Sequence, residues 1–366
     1  MTEQPIPWMQ PTFWGNEQTL VAEALGSAWI SGGSFVERLE RLFSGLCGMP
    51  HALAVCNGTA ALHVAYLALG IGHGDEIIVP AFCFQAAANM ALHVSATPVF
   101  ADVEKDTWCL DPNDVERRIT DRTKAIVAVH SYGNLCDMGA LRELAAARRL
   151  ILIEDTAQSF LSYWNGQPAG SLGDVSMLSL HAAKYITSGE GGMVFTASDD
   201  LAARIALHRN HGMERKVYYR HELPGHNFRL SNILAALACA QFEHVDAVRQ
   251  AKKHIHAKYT ERLSGIAGIT LQAFRPEVEA SLWVMSAKLD PAAFPQGRDA
   301  VRDVFSRHGI ETRPGYVSAS RLPYLSTHKV PVADHLARQV ISLPTFVGLT
   351  DAQIDWICHV LETCRT

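Results

Sequence analysis

Little in the sequence marks a metal protein, a nucleic-acid binder or a membrane protein. The eight cysteines (Cys47, Cys56, Cys83, Cys109, Cys136, Cys239, Cys358 and Cys364) include no CxxC pair, so buried or incidental thiols are expected rather than zinc ligands or disulfides. The 17 histidines show no HExxH-like spacing, and no metal site is expected. Lysine and arginine (32) do not outnumber aspartate and glutamate (37), and a net charge of −5 leaves no basic footprint for nucleic acid. There is no run of about 18 apolar residues, which argues against a membrane-spanning helix. The opening "MTEQPIPWMQPTFWG" has neither the basic start nor the apolar stretch of a signal peptide, so the expected location is the cytoplasm. Internal repeats, low-complexity tracts and flexible linkers are also missing.

What the sequence does contain is a succession of short apolar runs bounded by turn residues. They fall at 52–56, 76–80, 97–103, 125–130, 150–155, 175–180 and 191–196, with helix-like segments such as 59–70 and 138–149 between them. Continuous rather than alternating hydrophobicity, interleaved with helices, predicts an α/β domain with a mostly parallel sheet covered on both faces. From about residue 229 the texture becomes a long helical pattern, broken at Gly265 and expected to hold more than one helix. Strand-like pieces follow at 281–289 and 309–316, with helix-like segments at 297–309 and near the C-terminus. The expected division is a large domain over 1–235, with segment 1–30 packing on it, and a smaller α+β domain over 236–366.

In open parallel sheets, ligands sit beyond the carboxyl ends of the strands. Three such ends carry usable chemistry. After 52–56 comes Asn57-Gly58-Thr59 and then a helix, whose free N–H groups and dipole suit a phosphate; a simple turn with Thr59 as N-cap is the alternative. After "LILI" comes Glu154-Asp155. A carboxylate there needs a cation or a donor, which favours Asp155 as a functional group, with an N-capping role as the alternative. Ser179 closes the run at 175–179, and Lys184 follows five residues later. Among Leu180, Ala182 and Ala183, this lysine could be desolvated and its amine freed as a nucleophile; taken singly it could equally lie at the surface. A phosphate cradle, a strand-end acid and a strand-end lysine in that order match what pyridoxal phosphate requires of a protein.

The motifs "WISGGSFVERLE", "NGTAALHVAYLALGIGHGDEIIVPAF", "TPVFADV", "TKAIVAVHSYG", "IEDTAQS", "GDVSMLSLHAAKYITSGEGG", "HNFRLSNILAALACAQ" and "IETRPGY" occur in this order. Through them the chain resembles the DegT/StrS-type sugar-nucleotide aminotransferases, a branch of the fold-type I pyridoxal-phosphate enzymes, nearly end to end. The resemblance implies a seven-stranded sheet. It also implies that Lys184 is the Schiff-base lysine, holding the cofactor as an internal aldimine and releasing it as pyridoxamine phosphate after the first half-reaction. Asp155 would pair with the pyridinium nitrogen, Gln158 would contact the phenolic oxygen, and Gly58, Thr59 and Ser179 would hold the phosphate. Phe84 would stack on the ring. Asn227 would reach the phosphate of a neighbouring subunit's cofactor, which implies a homodimer with shared active sites. Arg229, Arg313, Tyr316 and His181 fall near the expected substrate side.

Cys83 stands where many relatives carry threonine, and Ala183 where many carry asparagine. "LSLHAAK" replaces the common "FSF" opening. These departures surround the site and bear on the sugar rather than the cofactor. The dehydratase branch of the family typically has histidine in place of the lysine, so Lys184 argues for amination. The expected reaction moves an amino group from L-glutamate to a nucleotide-linked keto sugar. A 4-keto-6-deoxyhexose on GDP is favoured by likeness to perosamine-forming members, which serve polysaccharide O-antigen synthesis. A 3-keto sugar or cyclitol acceptor in antibiotic synthesis, and a noncatalytic cofactor-binding regulatory or partner subunit, are the alternatives.

Overall fold

The computed structural model describes residues 5–214, 219–325 and 328–366. Seven of the apolar runs pair into one sheet: His51–Val55 (β1), Glu76–Pro80 (β2), Thr97–Ala101 (β3), Thr123–Val129 (β4), Ile151–Asp155 (β5), Val175–Ser179 (β6) and Gly192–Thr196 (β7). Their spatial order is β1-β7-β6-β5-β4-β2-β3, with β7 antiparallel to both of its neighbours and the remaining pairs parallel. This is the mostly parallel seven-stranded sheet expected of the fold. The central strands are buried on both faces, as their unbroken apolar sequences require.

Helices cover the sheet. In Ser34–Cys47, the residues Phe35, Leu39, Phe43 and Cys47 are buried, one per turn along a single stripe. This helix and Glu17–Gly26 both pack on Asn232–Phe242. The long helical stretch expected from residue 229 onward is two helices, Asn232–Phe242, capped by the Ser231 side chain, and Val245–Leu263.

A four-stranded antiparallel sheet lies in the C-terminal part, in the order Ile269–Leu271, Ser286–Leu289, Val340–Ser342, Arg313–Pro314. A second apolar cluster forms around it, drawing on Tyr259, Phe294, Phe305 and Ile357. The N-terminal segment divides between the two clusters: Ile6 bridges to Ile310 within the second, whereas Leu20 and Ala24 belong to the core of the large sheet. Of the strand expected at 281–289, only 286–289 is paired. Residues 281–283 turn instead toward the large sheet, where Ser281 N–H donates to Ser162 Oγ and Trp283 N–H to Tyr132 O. Among the described residues, no helix is long and apolar enough to cross a membrane, and no cluster of His, Cys, Asp or Glu is arranged to hold a metal.

Candidate active site

A cavity of about 930 Å³ opens beyond the carboxyl ends of β1, β5 and β6. Its first wall is the turn after β1. Asn57, rather than Thr59, caps the helix Gly58–Ala68, its side chain accepting from Ala60 N–H at 2.7 Å. The amides of Gly58 and Thr59 have no protein acceptor among the described residues, and the positive end of the helix dipole lies there. Glycine is required on both sides of this turn. A Cβ on Gly58 would stand 2.9 Å from Ser179 Cβ and 3.0 Å from Met177 Cε, and one on Gly192 would stand 2.6 Å from the carbonyl carbon of Asn57. The "TSGEGG" segment thereby brings β7 back along β1 with the two backbones in direct contact. That contact requires glycine at 192, whereas Gly189 serves the preceding turn through its left-handed φ of 81°.

Strand alternation separates the two acids at the end of β5. Glu154 is fully buried away from the cavity, and its carboxylate accepts from the amides of Gly170 (2.6 Å), Leu172 (2.9 Å) and Gly173 (3.2 Å). His130 Nδ1 accepts from Cys136 N–H, so its Nε2 carries the proton shared with Glu154 at 3.2 Å. Asp155 lines the cavity instead. One of its oxygens accepts from Ala157 N–H at 3.0 Å. Burial raises its pKa, and the Ala157 amide, Lys184 and His130 only partly oppose that rise. A buried carboxylate so placed is a ready partner for a protonated nitrogen.

Lys184 reaches the cavity from the loop after β6. Burial lowers its pKa to about 8, against the opposing pull of Asp155. Its Nζ lies 4.0 Å from the centre of the Trp283 ring, and the indole N–H of Trp283 donates to Ala183 O at 2.6 Å. His181 is exposed at the rim of the same cavity, with Nδ1 accepting from Ala183 N–H at 3.2 Å and Nε2 3.8 Å from Glu190.

Of the remaining expected residues, Gly58, Thr59, Phe84, Gln158, Ser179, Arg313 and Tyr316 all line the cavity. Phe84 is 62% exposed, an apolar ring at the mouth. Gln158 Oε1 accepts both Tyr132 N–H (2.9 Å) and Tyr316 OH (2.8 Å), which leaves its amide nitrogen as the donor available to a ligand. Tyr316 stacks on Tyr132 at 5.0 Å. Asn227 and Arg229 do not line this cavity. Asn227 pairs with the backbone of Asn210, and Arg229 hydrogen-bonds the Asn210 side chain in a separate recess of about 500 Å³. Trp283 and Trp8 are lining residues that the strand-end argument missed. Both approach from outside the large sheet, and only the expected but unpaired strand at 281–285 hinted at either.

A lowered-pKa amine, a buried strand-end carboxylate and free helix N–H groups thus meet in one space. Residues 13–362 match the DegT/DnrJ/EryC1/StrS aminotransferase family. The chain belongs to this family. The chain is 37% identical over 360 residues to the GDP-perosamine synthase of Escherichia coli O157:H7, covering 98% of each protein. Among solved structures, it resembles DesV of S. venezuelae, crystallised with a ketimine intermediate (31% identity, TM-score 0.92, 99% of each chain). It also resembles the putative sugar aminotransferase Spr1654 of Streptococcus pneumoniae in its PMP form (26% identity, TM-score 0.94, 98% and 97% of the two chains). The chain is accordingly an aminotransferase of a family that uses pyridoxal phosphate. The residues present fit that cofactor: the unpaired amides of Gly58 and Thr59 beside a turn with no room for a Cβ suit its phosphate, Asp155 its ring nitrogen, and Lys184 its aldehyde.

Proposed function

We propose that this aminotransferase transfers the amino group of L-glutamate to a GDP-linked 4-keto-6-deoxyhexose, giving an amino sugar nucleotide. The observation that carries the reading is the convergence of Lys184, Asp155 and the Gly58–Thr59 amides on one cavity beyond the strand ends. The choice of acceptor is supported by likeness to GDP-perosamine synthase across nearly the whole chain.

When bound, pyridoxal phosphate supplies an aldehyde that takes up the donor's nitrogen and a ring that stores an electron pair. Lys184 would hold it covalently through Nζ. Once free, Nζ would take the proton from the donor's α-carbon, and it would later deliver a proton to the sugar carbon that receives the nitrogen. Burial lowers the pKa of this amine in the cofactor-free chain, which favours the neutral form that proton abstraction requires. Asp155 would keep the ring nitrogen protonated, the Gln158 amide would donate to the ring hydroxyl, and Phe84 would cover the ring face. Ser179 and the helix N-terminus would hold the phosphate, and Arg313, Tyr316 and His181 would face the acceptor.

Asn227 lies outside the cavity of its own chain, as a role at the site of a second subunit requires, which supports a homodimer with shared active sites; Arg229, expected on the substrate side, is bonded to Asn210 outside the cavity. Absorbance spectra of the loaded protein test the whole reading. Glutamate should abolish the bound-cofactor band, and one nucleotide-linked keto sugar from a GDP, UDP and dTDP panel should restore it. Restoration by a UDP or dTDP sugar alone would refute the acceptor, and a band unmoved by glutamate would refute the donor.

A further inference from the structure

Lys252 lies on the helix Val245–Leu263 and is only 3% exposed. Its Nζ donates to the carbonyls of Trp283 at 2.9 Å and Thr345 at 2.6 Å. Burial alone pulls its pKa down to about 7, and no carboxylate is paired with it among the described residues. A lysine buried without a counter-ion is costly, and here the two carbonyls are what it secures.

Those carbonyls belong to the frame of the cavity wall. Trp283 is tied at its N–H to Tyr132 O (3.2 Å) and at its indole to Ala183 O (2.6 Å). Thr345 N–H donates to Trp8 O at 3.1 Å, and Trp8 meets Trp283 edge-on at 5.7 Å. Lys252 therefore bridges the segments that hold both tryptophans, and it shares with Lys184 a recess of about 20 Å³. We propose that Lys252 is a positioning residue for Lys184: by clamping the carbonyls of Trp283 and Thr345, it keeps the Trp283 indole seated on the reactive amine. The inference rests on the reading of Lys184 as that amine.

The indole acts on Lys184 in two opposed ways. Its π-face favours the ammonium, while its bulk keeps water from the amine and so disfavours the charge. Burial outweighs the opposing pull of Asp155 on Lys184, and an indole 4.0 Å from Nζ is part of what buries the amine, so unseating the ring should raise the pKa toward its ordinary value.

Residue-resolved acetylation gives the test without catalysis. Cofactor-free protein is pulsed with acetic anhydride across a pH series, and labelling of Lys184 is read by mass spectrometry. Trp283→Leu and Lys252→Met should each raise the labelling midpoint from about 8. The expected rise is on the order of one pH unit, and the double variant should shift it no further than the larger single one. In the loaded enzyme, kcat should fall roughly tenfold to a hundredfold while the glutamate KM changes little. If Lys252→Met does not fold, Lys252→Arg, which keeps the charge but relocates the donors, should give the same shift. A midpoint that moves in Trp283→Leu but stays at the wild-type value in the Lys252 variants overturns the proposal, as does one that moves in neither. Failure of the underlying reading would show separately, as a covalent cofactor band that survives Lys184→Ala.

Discussion

The Cα of Gly58 and the side chain of Ser179 meet where β1 and β6 end, and a Cβ on Gly58 would stand 2.9 Å from Ser179 Cβ. Two elements of the proposed phosphate cradle are therefore fitted to each other before any ligand arrives. Gly58→Ala adds no backbone strain, because Gly58 is not in the left-handed region, but it must push the turn and β6 apart. Overpacking of this kind costs about 1–3 kcal/mol. The displaced amides should also weaken cofactor affinity by about tenfold or more. Thermal unfolding and equilibrium dialysis of the cofactor measure the two effects.

Asp155→Asn should separate catalysis from folding. Asparagine keeps an oxygen for the Ala157 amide but cannot hold a ring nitrogen protonated, so kcat should fall by at least about a hundredfold. Burial raises the pKa of Asp155 in the cofactor-free protein, so its ionisation destabilises the fold as pH rises through the shifted value. The neutral variant, free of cofactor, should melt no lower than wild type at pH 7. A clearly lower melting temperature would mean that the carboxylate is satisfied by the protein itself.

Much of this site was legible because parallel sheets deliver their strand ends to one edge. Gly58, Asp155, Ser179 and Lys184 each follow an apolar run, and each reaches the cavity. The preference for Asp155 over Glu154 follows from the need of a strand-end carboxylate for a partner; the structure adds that alternation turns Glu154 away from the cavity, where it satisfies three loop amides. Capping by Asn57 instead of Thr59 was a local choice between neighbouring side chains with similar capacity. Trp283 was not legible. Its place depends on hydrogen bonds to Tyr132, Ala183 and Lys252, all distant in sequence, and its segment reads as a strand that the structure leaves unpaired. Arg229 and Arg313 lie near family motifs alike, yet only Arg313 faces the cavity.

Glu154→Ala should act on stability rather than on chemistry. It strands the buried amides of Gly170 and Leu172 and removes the partner of His130. The expected cost is roughly 3 kcal/mol or more. Denaturant unfolding should show the loss, while the folded fraction retains the cofactor spectrum of wild type. A normal stability with an altered spectrum would place Glu154 in the site instead.

The rate at which cofactor-free protein captures pyridoxal phosphate should depend on pH through Lys184. Only the neutral amine attacks the aldehyde, so the rate should rise with pH and level off above a midpoint of about 8. The same shift has a stability counterpart. Between about 8 and the ordinary lysine value the unfolded chain binds more protons than the folded one, so the fold gains stability as pH rises through that window. Stopped-flow absorbance locates the midpoint; one near the ordinary lysine value would show that the amine is solvated.

In the proposed homodimer, mixed dimers decide where Asn227 acts. Suppose each site combines Lys184 of one subunit with Asn227 of the other. Lys184→Ala and Asn227→Ala homodimers would then both be impaired, since every site in them lacks one group. When the two variants are unfolded together and refolded, half of the dimers should contain one chain of each kind. In such a dimer one site has lost both groups and the other retains both. Recovered activity should approach about a quarter of wild type, because half of the dimers carry one intact site out of two. If Asn227 serves the cavity of its own chain, no mixed dimer contains an intact site and mixing recovers nothing. The position of Asn227 outside its own cavity, paired with the Asn210 backbone, favours recovery.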